Sequence, residues 1–177
     1  QAVIVVAGNG SNAVNELNLD AIGKDGIPVM QRKTGGLSVV LTANMLCVSI
    51  VHHSDKLWAP KDFFFISNSI IMQGLKSSGI KEIKIQGISD ITLNNKKISG
   101  SSIYQNNRMI LFHSVLNISE NASLIARYLK HPPREPEYRK GRPHTEFITS
   151  LFAEGYEVSC SVLKDKIMEE WEMAKDF

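Results

Sequence analysis

Lys97 opens the segment Lys-Ile-Ser-Gly-Ser, residues 97–101, directly after a second lysine, Lys96. An ammonium group held beside small polar residues can neutralise charge that grows on a carbonyl or phosphoryl oxygen. Gly100 adds room, because a residue without Cβ lets a ligand come close to the backbone. On a strand, adjacent side chains face opposite ways, so one lysine points inward while the other is solvated. Alternation then places Lys97, Ser99 and Ser101 on one face. Taken alone, the pair also reads as two exposed lysines in a hairpin, where lysine is usually found.

A second group is Arg32 with Gly35 and Gly36, in Gln-Arg-Lys-Thr-Gly-Gly-Leu, residues 31–37. A guanidinium can grip a carboxylate or phosphate with two parallel hydrogen bonds. Two glycines let a ligand lie against the chain. The plain alternative is a turn with a surface arginine. Asp90 follows Gly87-Ile88-Ser89 and suits either Mg²⁺ beside a nucleotide or the capping of a turn. His113 sits in the apolar run Ile-Leu-Phe-His-Ser-Val-Leu, where histidine serves either a ligand or the core. His52-His53 lacks a third ligand at useful spacing for zinc, and His131 and His144 show no metal pattern.

These residues need elements to hold them. Ala2–Ala7 reads as a buried strand, ended by Gly8-Asn9-Gly10. Val14–Ile22 has helical spacing, with Gly23 able to close it. Ile27–Arg32 reads as a strand, and Leu37–Leu41 and Met45–Val51 as a hairpin across Thr42-Ala43-Asn44. Lys61–Ser77 is the strongest helix of the first half, with Phe63, Ile66 and Ile70 on one face and Gly79 as its stop. From Lys81 to Ile118 the pattern is an antiparallel meander. Asn94-Asn95 supplies a two-residue turn, because asparagine tolerates positive φ. Leu124–Leu129 is a short helix. His131–Pro143 contains four prolines and excludes regular structure, leaving an arm or loop. Thr145–Ala153 reads as a helix closed by Gly155, and Ser161–Ala174 as the last helix. The whole of 1–177 is expected to be one α/β (α+β) domain, with a mixed, largely antiparallel sheet packed with helices.

The bulk properties narrow the function classes. With 43% apolar and 21% charged residues the chain has the make-up of a globular domain. A formal net charge of +2 argues against a dedicated nucleic-acid surface. No apolar run reaches the length needed to cross a bilayer. Two cysteines, Cys47 and Cys160, are too few for a disulfide scaffold, which points to a reducing compartment. A strand-like run directly after Gln1 suggests that the sequence begins inside a domain, so the expected cytoplasmic location leaves an organellar matrix open.

Taken in order, the motifs resemble the lipoate–protein ligase family, which groups with biotin–protein ligases and octanoyltransferases. That family carries Arg-Arg-x-x-Gly-Gly-Gly, an Asn-Asp-Leu/Ile hairpin start, Lys-x-Ser-Gly-Ser/Ala and a His-Gly strand. The corresponding residues here are 31–37, Ser89-Asp90-Ile91, Lys97–Ser101 and His113-Ser114. The opening Val-Ile-Val-Val-Ala-Gly-Asn-Gly-Ser-Asn resembles the family's early strand and turn, and Tyr-Arg-Lys-Gly-Arg-Pro-His, from Tyr138, the arm after its catalytic fold.

The resemblance implies a fold like the class II aminoacyl-tRNA synthetases and biotin ligases. It implies that lipoate is activated with ATP and Mg²⁺ to lipoyl-AMP, then passed to a lysine of an acceptor domain. The acceptors it implies are acyltransferase subunits of 2-oxoacid dehydrogenases or the glycine cleavage H protein, with an accessory subunit in some relatives and neither nucleic acid nor membrane as partner. Lys97 would be catalytic. Arg32, Gly35, Gly36, Val39, Asp90, Ser99, Gly100, Ser101 and His113 would bind the acyl-adenylate, and Asp90 a metal.

There are departures. Asn9 and Ser11 stand for an arginine and a glutamine, Gln31 for the first arginine of the glycine motif, Leu37 for its third glycine, and Ser114 for a glycine. The family's first strand and helix are not seen before Gln1, and no accessory C-terminal domain follows the last helix. Three alternatives stay open: an octanoyl or lipoyl transferase without adenylation, a biotin ligase, and a non-catalytic lipoate-binding member. The first works through a cysteine thioester in the related transferases, and neither Gly87–Asp90 nor Asn117–Ala122 holds a cysteine. The second lacks its usual glycine-rich arginine loop.

Overall fold

The computed structural model describes residues 2–53 and 57–174, so the two ends of the expected 1–177 domain lie outside the described residues. In chain order the elements are β1 (Val3–Ala7), α1 (Ala13–Glu16), α2 (Leu19–Asp25), β2 (Val29–Gln31), β3 (Val39–Thr42), β4 (Met45–His53), α3 (Pro60–Ser77), β5 (Ile83–Gln86), β6 (Asp90–Leu93), β7 (Lys96–Gln105), β8 (Met109–Asn117), α4 (Ala122–Tyr128), α5 (His144–Phe147) and α6 (Cys160–Ala174). Single 3₁₀ turns stand at Glu137–Arg139, inside the proline arm, and at Phe152–Glu154.

The strands form two sheets. A three-stranded sheet has the order β2-β1-β3, with β1 parallel to β2 and antiparallel to β3. A five-stranded antiparallel sheet has the order β4-β8-β7-β6-β5. The mixed, mostly antiparallel α+β architecture agrees with the sequence reading, and β5 to β8 are the expected meander. At the β6–β7 turn Asn94 and Asn95 have φ of 50° and 60°, as a two-residue hairpin of this hand requires.

Three expectations change. The helix over residues 14–22 is split into α1 and α2. Asn12 caps the first and Asn18 the second, while Leu17 between them is extended, fully buried and bridged to Leu129. The second helix ends not at Gly23 but at Gly26, in the left-handed conformation. Leu37–Leu41 and Met45–Val51 do not form a paired hairpin. β3 pairs with β1 and β4 pairs with β8, so the turn at Ala43-Asn44 carries the chain from one sheet to the other. Finally, the helix over 145–153 stops at Phe147, because Ile148 is extended and bridges Lys97.

Two apolar clusters result. The larger lies between one face of the five-stranded sheet and α3 and α6, and includes Phe63, Ile71, Leu75, Phe112, Leu116, Leu163 and Ile167. There α3 and α6 come close at Gly74, where an added Cβ would stand 2.6 Å from Ile167 Cγ1. The smaller cluster joins β1, β3, α2 and α4 through Val5, Leu17, Ile22, Val40, Ile125 and Tyr128. Between the two, the other face of the five-stranded sheet is left to form the wall of a cavity.

Candidate functional site

The cavity measures about 580 Å³. That is within the range of small-molecule sites, roughly 300–1,000 Å³. One wall is apolar and includes Val6, Val39 and Leu41 from the small sheet, Ile125 from α4, and Val115 from the large sheet. Basic side chains also line the cavity: Lys97 from the β6–β7 hairpin, Lys130 just after α4, and Arg134 and Arg139 from the arm.

The glycine loop closes one end, and its geometry differs from the expected anion grip. Arg32 turns its guanidinium inward. Nε donates to Thr34 Oγ1 at 2.9 Å, Nη1 to the Val6 carbonyl at 3.1 Å, and Nη2 to the Gly35 and Leu37 carbonyls at 2.6 and 2.9 Å. Four of its five N–H bonds thus shape the loop. Burial draws the guanidinium below its ordinary pKa, and the charge of Glu16 works against that. Gly36 has φ of +86°, a conformation in which L side chains are strained. Gly8 lets the first turn press onto this loop, since a Cβ there would stand 1.9 Å from the Gly36 carbonyl oxygen.

Two supports of the loop were not found from the sequence. Thr34, fully buried, accepts from Ser102 Oγ at 2.9 Å as well as from Arg32. Glu16, also buried, accepts from Ser38 N at 2.7 Å, Ser38 Oγ at 2.8 Å and Asn12 N at 3.0 Å. Burial pushes its carboxyl up, but these bonds together outweigh that and leave it below the usual value. Its spacing from Asn12, four residues, is one longer than a capping box, so no local motif announced it.

The lysine hairpin forms the other side. Pairing runs Ile91 to Ser99 and then Thr92 to Lys97, which leaves Ile98 as an extra residue in β7. This β-bulge breaks the alternation on which Lys97, Ser99 and Ser101 were placed together. Lys97 instead shares its face with Gly100, where an added Cβ would lie 2.6 Å from Nζ. Ser99 and Ser101 border the cavity, but their hydroxyls are engaged elsewhere. Ser99 Oγ lies 2.7 Å from Ser114 Oγ, and Ser101 Oγ donates to the Ser89 carbonyl at 2.8 Å beside Asn68 of α3. The two lysines do part as alternation requires. Lys96 turns to Glu154 at 3.3 Å, while Lys97 Nζ meets Asp90 Oδ1 at 2.8 Å beside the cavity. Backbone bonds fix the lysine from behind, with Thr149 N donating to the Lys97 carbonyl at 3.0 Å.

Asp90 was expected to hold Mg²⁺, and its surroundings do not suit one. Oδ1 faces the Lys97 ammonium, and Oδ2 accepts from Tyr138 Oη at 2.7 Å. Mg²⁺ takes six oxygens in a strict octahedron, and an ammonium at contact distance repels it. No group of three or more His, Cys, Asp or Glu gathers as a metal site among the described residues.

His113 lines the cavity, with Nδ1 2.7 Å from Ser49 Oγ. Burial and then the charge of Arg32 hold its pKa below the ordinary histidine value, so it is a neutral hydrogen-bonding ring near pH 7. Cys47 also reaches this wall, two strands from Gly100 through Val115, roughly 10 Å at ordinary strand spacing. Burial raises its thiol pKa, which disfavours the thiolate.

The arm contributes two groups that sequence reasoning left in a loop. Arg139 is 3% exposed, stacks its guanidinium over Phe147 and donates Nε to the Arg142 carbonyl. Its Nη2 is buried without a hydrogen-bond partner, as is His144 Nδ1. Both residues line the cavity. Arg139 Nη2 is a buried donor that a ligand's oxygen can satisfy, whereas His144, which donates Nε2 to the Lys130 carbonyl, presents Nδ1 as an acceptor.

Residues 1–172 match the family model described as the lipoyl protein ligase A/B catalytic domain. Lipoate–protein ligase 1 of Plasmodium falciparum is 30% identical over 125 residues, which cover 71% of this chain and 29% of that protein. The chain spans less than half the length of the curated relatives it matches, from 29 to 46%. Among solved structures, the bipartite lipoate protein ligase of Thermoplasma acidophilum superposes with a TM-score of 0.86 at 21% identity, over 99% of this chain and 69% of that one. A lipoate-protein ligase A bound with ATP gives 0.82 at 21% identity, over 98 and 69%. At such identities the superpositions speak for the fold.

Proposed function

This chain belongs to the lipoyl protein ligase A/B catalytic-domain family, and from that membership we propose that it is the catalytic module of a lipoate–protein ligase. In this reading lipoate enters along the apolar wall past Val39 and the glycine loop. Its carboxylate attacks the α-phosphorus of ATP, pyrophosphate leaves, and lipoyl-AMP forms. A lysine amine of an acceptor domain then attacks the acyl carbonyl and releases AMP. The acceptors are lipoyl domains of 2-oxoacid dehydrogenase acyltransferase subunits or the glycine cleavage H protein, and an accessory subunit assists where adenylation requires one.

The observation that carries this reading is the Lys97 ammonium, fixed over Gly100 on the wall between the apolar slot and the basic arm. Both steps build negative charge, first on phosphoryl oxygens and then on the acyl oxygen, and one preorganised cation serves both. Gly35 and Gly36 let the mixed anhydride run close to the backbone, and Gly100 makes room for the Lys97 side chain. Arg32 and Ser101 set the shape around it, Ser99 backs the lysine strand, and His113 borders the acyl chain. Among the described residues no carboxylate cluster would hold Mg²⁺, which would come with the nucleotide and offset its phosphate charge. Among the described residues no helix is long and apolar enough to cross a membrane.

The test measures two reactions separately. Lipoate-dependent exchange of pyrophosphate into ATP reports activation, and acyl transfer from synthetic lipoyl-AMP to a lipoyl domain reports the second step. Activity in both supports the ligase, transfer alone supports a transferase module, and lipoate binding with neither overturns catalysis.

A further inference from the structure

Tyr138 lies 48 positions from Asp90 in the sequence, on the proline arm, yet its hydroxyl donates to Asp90 Oδ2 at 2.7 Å. The other carboxylate oxygen holds Lys97 Nζ at 2.8 Å. The carboxylate side chain is only 8% exposed, so few water molecules compete for it. The arm is itself anchored to the same hairpin, with Arg142 donating from both Nη1 and Nη2 to the Asn95 carbonyl at 3.1 Å. Tyr138 therefore sits in a fixed frame, and its ring is held 5.2 Å from Phe147 independently of the hydroxyl.

We propose that Tyr138 is a positioning residue for Lys97, acting through Asp90. This rests on the reading of Lys97 as the catalytic cation. A cation that must stabilise a transient oxyanion cannot be gripped too strongly by a resident carboxylate. The Tyr138 hydroxyl occupies Oδ2 and shares the charge of Asp90. One oxygen is then left for Lys97, in the direction that places Nζ over Gly100. Without the hydroxyl, Asp90 is free to turn both oxygens to the ammonium and draw it away from the cavity. When Lys97 engages a substrate, Tyr138 remains as partner of a carboxylate that would otherwise be buried and uncompensated. Burial, with Asp90 adding to it, pushes the phenol far above its ordinary pKa, so it stays a donor throughout the working range.

The experiment compares wild type, Tyr138→Phe, Asp90→Asn and the double variant in two measurements. The first is the acetylation rate of Lys97 by a water-soluble N-hydroxysuccinimide ester, read by peptide mass spectrometry with Lys96 as internal reference. Tyr138→Phe should slow Lys97 at least threefold relative to Lys96, and Asp90→Asn should speed it. In the Asp90→Asn background Tyr138→Phe should change nothing further, because coupled residues are not additive. The second measurement is acyl transfer from lipoyl-AMP, where Tyr138→Phe should lower kcat about tenfold with KM within twofold. An unchanged Lys97 rate, equal changes at Lys96 and Lys97, or the same effect of Tyr138→Phe in both backgrounds would overturn the proposal. Acetylation needs no enzymatic activity, so a wild-type protein that fails to transfer would count against the ligase reading while the labelling still decided the role of Tyr138.

Discussion

The glycine loop and the lysine hairpin border one cavity, but they are held in different ways. The loop is stabilised mainly by residues of the first 38 positions. Arg32 folds over its own carbonyls, Glu16 holds Ser38, and Gly8 admits the Gly36 carbonyl. The hairpin depends on distant chain, since Asp90 is met by Tyr138, Lys96 by Glu154, and the Lys97 backbone by Ile148 and Thr149. A loop held mostly by nearby chain, with Ser102 on Thr34 as its tie to β7, suits a surface that must keep its shape for a long apolar ligand. A hairpin tied to remote segments suits a charged group whose position answers to what those segments do. On this view, damage to the loop should appear in binding and stability, and damage to the hairpin in turnover.

Lys97→Ala is the sharpest test of that division. Acyl transfer should fall by at least about a hundredfold, the scale seen when one preorganised charge-stabilising group is lost, while the melting temperature and lipoate affinity stay near wild type. A variant with near-normal turnover would remove Lys97 from the chemistry.

Gly8→Ala should do the reverse. Its Cβ has no room beside the Gly36 carbonyl, and overpacking of this kind costs about 1–3 kcal/mol. Thermal unfolding should show the loss and calorimetry a weaker lipoate site. A well-folded variant with unaltered binding would break the comparison on the loop side.

Glu16→Gln should be smaller and dependent on pH. The folded-state pKa of Glu16 lies below its ordinary value of 4.5. Its stabilising effect is therefore complete above that value and fades as the pH falls through the lower folded-state pKa. Chemical denaturation of wild type and variant should differ by about 1–3 kcal/mol near pH 7 and converge in acid. A gap that does not narrow would mean that the charge of Glu16 is not what supports Ser38.

The smallest effect is expected for the double change Cys47→Ser, Cys160→Ser. Cys47 stands two strands, roughly 10 Å, from Gly100, so ligation should stay within about twofold of wild type. A folded but inactive double variant would revive the thioester route.

What could be read from the sequence was whatever local chemistry decides. Two adjacent asparagines between alternating runs fixed the β6–β7 turn, and Gly79 at φ of +84° ends α3 as its position suggested. What escaped was decided across the fold. The bulge at Ile98 exists only relative to β6, so strict alternation put Lys97 on the wrong face, beside Ser99 rather than Gly100. Leu17 interrupts a helical pattern because Leu129, far along the chain, offers it a bridge and a buried place. The inward turn of Arg32 and the reach of Tyr138 to Asp90 have no local signature either, and motif spacing identified the segments without revealing how their side chains are engaged.

The contact of Gly74 with Ile167 bears on how the molecule is made. At ~5–20 residues per second, a ribosome reaches Ile167 roughly 5–20 s after Gly74, and the apolar stripe of α3 lacks its partner helix for that interval. Biosynthesis therefore includes a window in which the stripe is sticky, and holding by a chaperone would matter most before the final helix leaves the exit tunnel.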